Sequence, residues 1–186
     1  HLYADGYYGI EKGNLQLPQL EAVRHALGDP TIRTTRRVDA LLVTVGINDL
    51  GFGSLLDACA HSFTTDCTKT RAAIHTQETL KELPGRYDRL DSAIGTSVRA
   101  TRVYLVELPA RVFTDSNDRH GGCGAFEVGM RSDEAHWISD RGDELNSVAQ
   151  AASARNGWTY VGGTRNAFRG HGYCADDEDT WFRSYS

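Results

Sequence analysis

An α/β fold built on a parallel sheet flanked by helices is what this sequence predicts, and three observations carry that expectation. Apolar, β-branched runs alternate with segments of helical period; the runs are nearly continuous in their apolar character; and no repeat, low-complexity tract or linker interrupts the pattern. A continuous apolar run has the composition of a strand covered on both faces, the condition met in parallel sheets. With 186 residues the chain has room for one domain, residues 1–186, and little else.

The elements follow in order. Leu20, Val23 and Leu27 recur at helical spacing after Pro18, and Gly28-Asp29-Pro30 ends the run, so a helix is expected near 17–27. Val38 to Val45 reads as a strand and runs straight into Gly46-Ile47-Asn48-Asp49. Between 68 and 97, Ala73, Thr76, Gln77 and Leu80 keep a helical period. Pro84-Gly85 predicts a break there into a second helix, because proline removes a backbone donor and its ring crowds the preceding turn. Thr101 to Leu108 is the next strand, followed by an irregular stretch from Pro109 to Arg131. Ser132, Asp133 and Glu134 mark a helix start with acids in the first turn, and the apolar period from Ile138 to Ala152 carries it to about Asn156. Trp158 to Val161 reads as a short strand and the tail to Ser186 as loop.

Composition excludes several classes of function. Hydrophobic residues make up 40% of the chain, which with its glycines is the ordinary globular range and argues against disorder. The longest apolar stretch, Ala40 to Val45, is far short of the roughly 20 residues that span a bilayer, so no integral membrane segment is expected. Lys plus Arg is 20 against 25 Asp plus Glu, a net charge of −5, and nucleic acid is a poor partner for such a surface. The four cysteines, Cys59, Cys67, Cys123 and Cys174, are an even number that permits disulfides in any of three connectivities and suggests secretion.

In parallel sheets of this kind ligands bind beyond the carboxyl ends of the strands, which directs attention to 46–53 and 162–174. Asn48 stands three residues past a strand, beside Gly46, where the backbone can turn sharply. A side-chain amide held there can donate a hydrogen bond to a developing oxyanion. The plain alternative is an Asn-Asp turn whose side chains satisfy local backbone. His171 lies between Gly170 and Gly172 in a loop after the last strand, where an imidazole could act as a general base with a main-chain carbonyl accepting its other N–H. His136 competes through Asp133-Glu134-Ala135-His136, although such contacts are common on helices without function. Two His-x-x-Cys pairs, His120/Cys123 and His171/Cys174, would make a Cys₂His₂ zinc site if they converged, yet the same cysteines pair equally well as a disulfide. The acidic run 176–179 could hold a calcium ion but reads more simply as a solvated face.

Val43-Thr44-Val45-Gly46-Ile47-Asn48-Asp49-Leu50-Gly51-Phe52 resembles the third sequence block of the SGNH (GDSL-type) hydrolases. Gly170-His171-Gly172-Tyr173-Cys174 with Trp181 resembles a late segment of the secreted actinobacterial lipase and esterase branch of that family. The resemblance implies a three-layer α/β/α sandwich, the flavodoxin-like SGNH fold, and hydrolysis of carboxylic esters or lipids through a serine acyl-enzyme. By position it makes Asn48 the oxyanion donor, Gly46 the residue shaping its turn and Asp49 a brace. It also implies disulfides Cys59–Cys67 and Cys123–Cys174, with no metal and no cofactor.

Two parts of the family pattern are missing. None of the eleven serines follows a Gly-Asp pair, and no His-Pro occurs. The expectation is therefore a chain cut at both ends, with the first strand and its nucleophile upstream of His1 and the base either His171 or a residue beyond Ser186. Such a sheet should expose an edge and apolar surface and lean on complementing terminal segments. Two rivals stand beside this reading: a noncatalytic acyl- or glycan-binding module that keeps the cleft, and the zinc protein.

Overall fold

The computed structural model describes residues 19–28, 37–60, 66–114, 130–173, 175 and 178–182. They form an α/β fold whose sheet has three parallel strands, β1 (Val38–Val43), β2 (Ala100–Val106) and β3 (Thr159–Val161), in the order β1-β2-β3. Their register pairs Val43 with Leu105 and Leu105 with Tyr160, so the carboxyl ends of all three lie on one edge. The helices are α1 (Gln19–Leu27), α2 (Phe52–Ala60), α3 (Arg71–Ser97), α4 (Ser132–Arg155) and a single turn, α5 (Thr164–Ala167); a 3₁₀ turn occupies Cys67–Lys69.

The main core lies between the sheet and α3 and α4. Val43 and Leu105 meet Leu80, Leu83, Tyr87, Leu90 and Ile94 of α3 and Leu145, Ala149 and Ala152 of α4. Side chains alternate along a strand, so Leu41, Val43, Val103 and Leu105 face these helices while Ala40, Leu42 and Tyr104 face the other way. On that second face no described helix covers the sheet: Leu42 of β1 is 70% exposed and Val161 of β3 40%. The sequence reading of β1 as covered on both faces therefore fails for the described residues, because α3 and α4 both pack against the same side.

A second cluster, Leu55, Cys59, Cys67, Ala73, Phe113, Met130, Ala135 and Ile138, sits beyond the strand ends, between α2 and the starts of α3 and α4. The Cys59–Cys67 disulfide lies inside it. Cys123 and Cys174 lie outside the described residues, as does the other implied bridge.

Two elements differ from the sequence reading. The stretch 71–97 is one helix of 27 residues with Pro84 inside it, not two. Loss of a hydrogen bond and ring crowding at Pro84 cost about 3 kcal/mol. Burial of Leu80, Leu83, Tyr87 and Leu90 along one face outweighs that, and Arg155 Nη2 donates to the Pro84 carbonyl at 3.2 Å. Helix α2 was not expected, because two glycines flank its start; Leu55 and Cys59, one turn apart and both fully buried, hold it.

Candidate active site

The loop 46–51 leaves β1 at its carboxyl end. Gly46 adopts φ +114°, a conformation open to glycine, and a Cβ placed there would lie 2.8 Å from the Tyr87 hydroxyl. The chain then makes a helical turn in which Leu50 N donates to Gly46 O at 3.3 Å and Gly51 N donates to Asn48 O at 3.1 Å. Leu50 is buried and its carbonyl accepts from the Thr76 hydroxyl at 2.9 Å, which pins the loop to α3.

Within this loop Asn48 and Asp49 have opposite fates. Asp49 is buried, and its carboxylate reaches α3, where Arg86 Nη1 stands 3.1 Å away. Asn48 is exposed, and its side chain makes no hydrogen bond with a described residue. Asp49 thus reaches beyond its own turn, to α3.

His171 lies in the loop that follows β3 and α5. Its Nδ1 lies 2.7 Å from the main-chain carbonyl of Asp179, and its ring stacks on Trp181 with centroids 4.3 Å apart and planes 4° from parallel. Nδ1 must carry the proton to donate to a carbonyl, so the neutral ring keeps its lone pair on Nε2. The loop is anchored further where Tyr173 N donates to Val112 O at 2.7 Å and where Gly172 packs so closely on Val112 that no Cβ fits. β1 and β3 are about 10 Å apart, two strand spacings, and no described contact joins Asn48 to His171.

Of the other sequence candidates, His136 is exposed on α4, and Asp133 pairs with Arg131 at 3.1 Å. No group of three or more His, Cys, Asp or Glu suited to a metal occurs among the described residues. His120, Cys123 and Cys174 of the zinc reading, and Asp176 and Asp177 of the acidic run, lie outside them.

The structure adds residues that spacing did not reveal. His75 of α3 lies beside the candidate loop: its Cδ2 is 3.1 Å from the Cβ position of Gly51. Glu107, just past β2 and between the two loops, accepts from the backbone nitrogens of Gly163 and Arg165 at 2.8 and 2.9 Å and faces Tyr160 Oη at 3.5 Å. Burial and the Glu107 charge push the Tyr160 phenol up to about 12. A glutamate following an apolar strand was the available signal for this anchor.

Compared with solved structures, the chain is similar to an extracellular lipase from Streptomyces rimosus, with a TM-score of 0.61 and 22% identity over 80% of this chain and 58% of that one. It is also similar to phospholipase A1 from Streptomyces albidoflavus NA297, with a TM-score of 0.60 and 24% identity over 89% of this chain and 64% of the other. The chain has the fold of these two enzymes. That agrees, at the level of the fold, with the resemblance to SGNH hydrolases. The chain spans about three-fifths of the length of the solved structures it matches. No protein-family model and no curated protein matches it. No helix among the described residues is long and apolar enough to cross a membrane.

Proposed function

We propose that this chain is the oxyanion-binding part of a secreted serine hydrolase acting on carboxylic esters or lipids. The observation that carries this reading is the exposed amide of Asn48 at the carboxyl end of β1, without a hydrogen bond to any described residue, in a loop where Asp49 and Leu50 are buried and bonded. The lipase and phospholipase neighbours support the reaction class, and the Cys59–Cys67 disulfide supports an oxidising compartment.

In this reading a serine outside the 186 residues attacks the ester carbonyl. The carbonyl π pair moves onto oxygen, and Asn48 Nδ2–H donates to that oxyanion, a contact stronger in the transition state than in the ground state. An imidazole takes the serine proton and returns it to the leaving alcohol, and water then releases the acyl group. Of the described histidines, His171 has the ring orientation such a base needs, with Nδ1 on a carbonyl and Nε2 free of described partners.

The test is hydrolysis of a p-nitrophenyl ester by the full-length parent and by this chain. The parent is expected to be active and sensitive to serine-directed inhibitors, this chain inactive, and Asn48→Ala in the parent to lower kcat about 10² to 10³-fold. Equal, inhibitor-sensitive turnover by the 186-residue chain would sink the external nucleophile. Ester binding without turnover in the parent would favour the noncatalytic module. His171→Gln assigns the base: loss of kcat gives the step to His171, and retained kcat gives it to another histidine.

A further inference from the structure

The Asn48 side chain makes no hydrogen bond with a described residue, yet the chain on both sides of it is held by one helix. Tyr87 Oη donates to the Val45 carbonyl at 3.2 Å, Arg86 Nη1 pairs with Asp49 Oδ1 at 3.1 Å, and the Thr76 hydroxyl donates to the Leu50 carbonyl at 2.9 Å. Arg86 is itself steadied by Glu82, one turn earlier on α3, at 2.8 Å. Tyr87 is fully buried and packs edge-on to Trp158, with ring centroids 6.4 Å apart, so its hydroxyl has little freedom.

We propose that Tyr87 and Arg86 are positioning residues that set the Asn48 amide where the oxyanion forms; this rests on the ester-hydrolase reading above. Each does a different thing. An Asp following an Asn in a turn is an acceptor within reach of local N–H groups. Arg86 draws the Asp49 carboxylate to α3, away from the Asn48 amide, which bonds to no described residue. Tyr87 fixes the other end, holding the Val45 carbonyl while its hydroxyl closes the space beside Gly46. A donor that stabilises a transition state must stand within a fraction of an ångström of its place before the reaction, and anchors on a long, packed helix supply that.

Tyr87→Phe removes the hydroxyl and keeps the ring. Arg86→Gln removes the charge, and Arg86→Lys restores it. In the full-length parent, with p-nitrophenyl butyrate, Tyr87→Phe and Arg86→Gln are each expected to lower kcat roughly 3- to 10-fold, the worth of one modest hydrogen bond, with KM unchanged. Arg86→Lys should recover part of the loss. In an Asn48→Ala background neither substitution should lower kcat further, because residues acting through Asn48 have nothing left to position. In the 186-residue chain, Tyr87→Phe should also speed amide hydrogen exchange at 46–50 while exchange in α4 stays unchanged. Equal falls in kcat with and without Asn48, or unchanged loop exchange, would overturn the positioning role. Parent-like kcat in Asn48→Ala is a separate result that would overturn the oxyanion assignment, and the positioning role with it.

Discussion

The carboxylate of Glu134 is fully buried, and its Oε1 lies 2.8 Å from the backbone nitrogen of Cys67, 67 residues earlier in the chain. Its Oε2 accepts from Arg131 N at 2.9 Å, and Arg131 Nη2 stands 3.4 Å from Oε1. One side chain therefore closes the start of α4 and ties it to the disulfide-bounded segment. Replacing it by glutamine leaves one carbonyl oxygen for two N–H donors and sets an NH₂ against the other. Glu134→Gln is expected to cost about 2 to 4 kcal/mol in urea unfolding. Asp133→Asn at the exposed neighbouring position should leave the urea midpoint close to that of the unsubstituted chain.

Cys59 and Cys67 are both fully buried and eight residues apart in sequence. Closing so short a loop restricts the unfolded chain, and Cys59→Ala/Cys67→Ala is expected to lower stability by about 2 to 3 kcal/mol. Thermal unfolding of the double variant beside the parent sequence checks this; an unchanged midpoint would remove the disulfide from the account of stability.

Gly46 and Gly53 should respond oppositely to alanine. Gly46 sits at φ +114° with the Tyr87 hydroxyl and a Leu145 methyl where its Cβ would stand, whereas a Cβ on Gly53 meets nothing within 4 Å. Gly46→Ala should destabilise by about 1 to 3 kcal/mol. Gly53→Ala, in α2, should stabilise by about 0.5 to 1 kcal/mol through the unfolded chain's lost freedom.

Alkaline pH should act through two tyrosines. Burial, and then the Asp49 charge, hold the Tyr87 phenol well above its ordinary range, and burial with Glu107 pushes Tyr160 up to about 12. In the unfolded chain both ionise near pH 10, about where free tyrosine does. The folded state keeps its protons longer, so their contribution is full below that pH and is lost as pH rises through the folded values. Urea midpoints should fall steadily above about pH 10, and Tyr87→Phe should flatten the fall. A variant with the same slope as the parent would show that Tyr87 does not drive it.

Much of the fold was legible because it depends on local pattern. The β-branched runs at 38–43 and 100–106 and the helical period at 132–155 are properties of neighbouring residues, and each element stands close to where the sequence placed it. Pro84 shows where local reasoning stops: its cost is local, while the burial that outweighs it comes from strands and a helix far away in sequence. Helix α2 shows the converse, a weak local signal rescued by a buried disulfide.

Fold class, the alternation of elements and the place of Asn48 just past a strand are readable from local pattern, since a strand followed by Gly-Ile-Asn-Asp is a local statement. Which groups at the strand ends are engaged depends on contacts between distant segments. It paired Asp49 with Arg86, set His75 beside Gly51, placed Glu107 between the two loops and put His171 against the Asp179 carbonyl. These partners are tens of residues apart or meet around a loop, and no periodicity encodes them. The first two follow from the packing of α3 against the sheet, which turns Arg86 and His75 toward the loop after β1, and the other two from contacts between strand ends and loops.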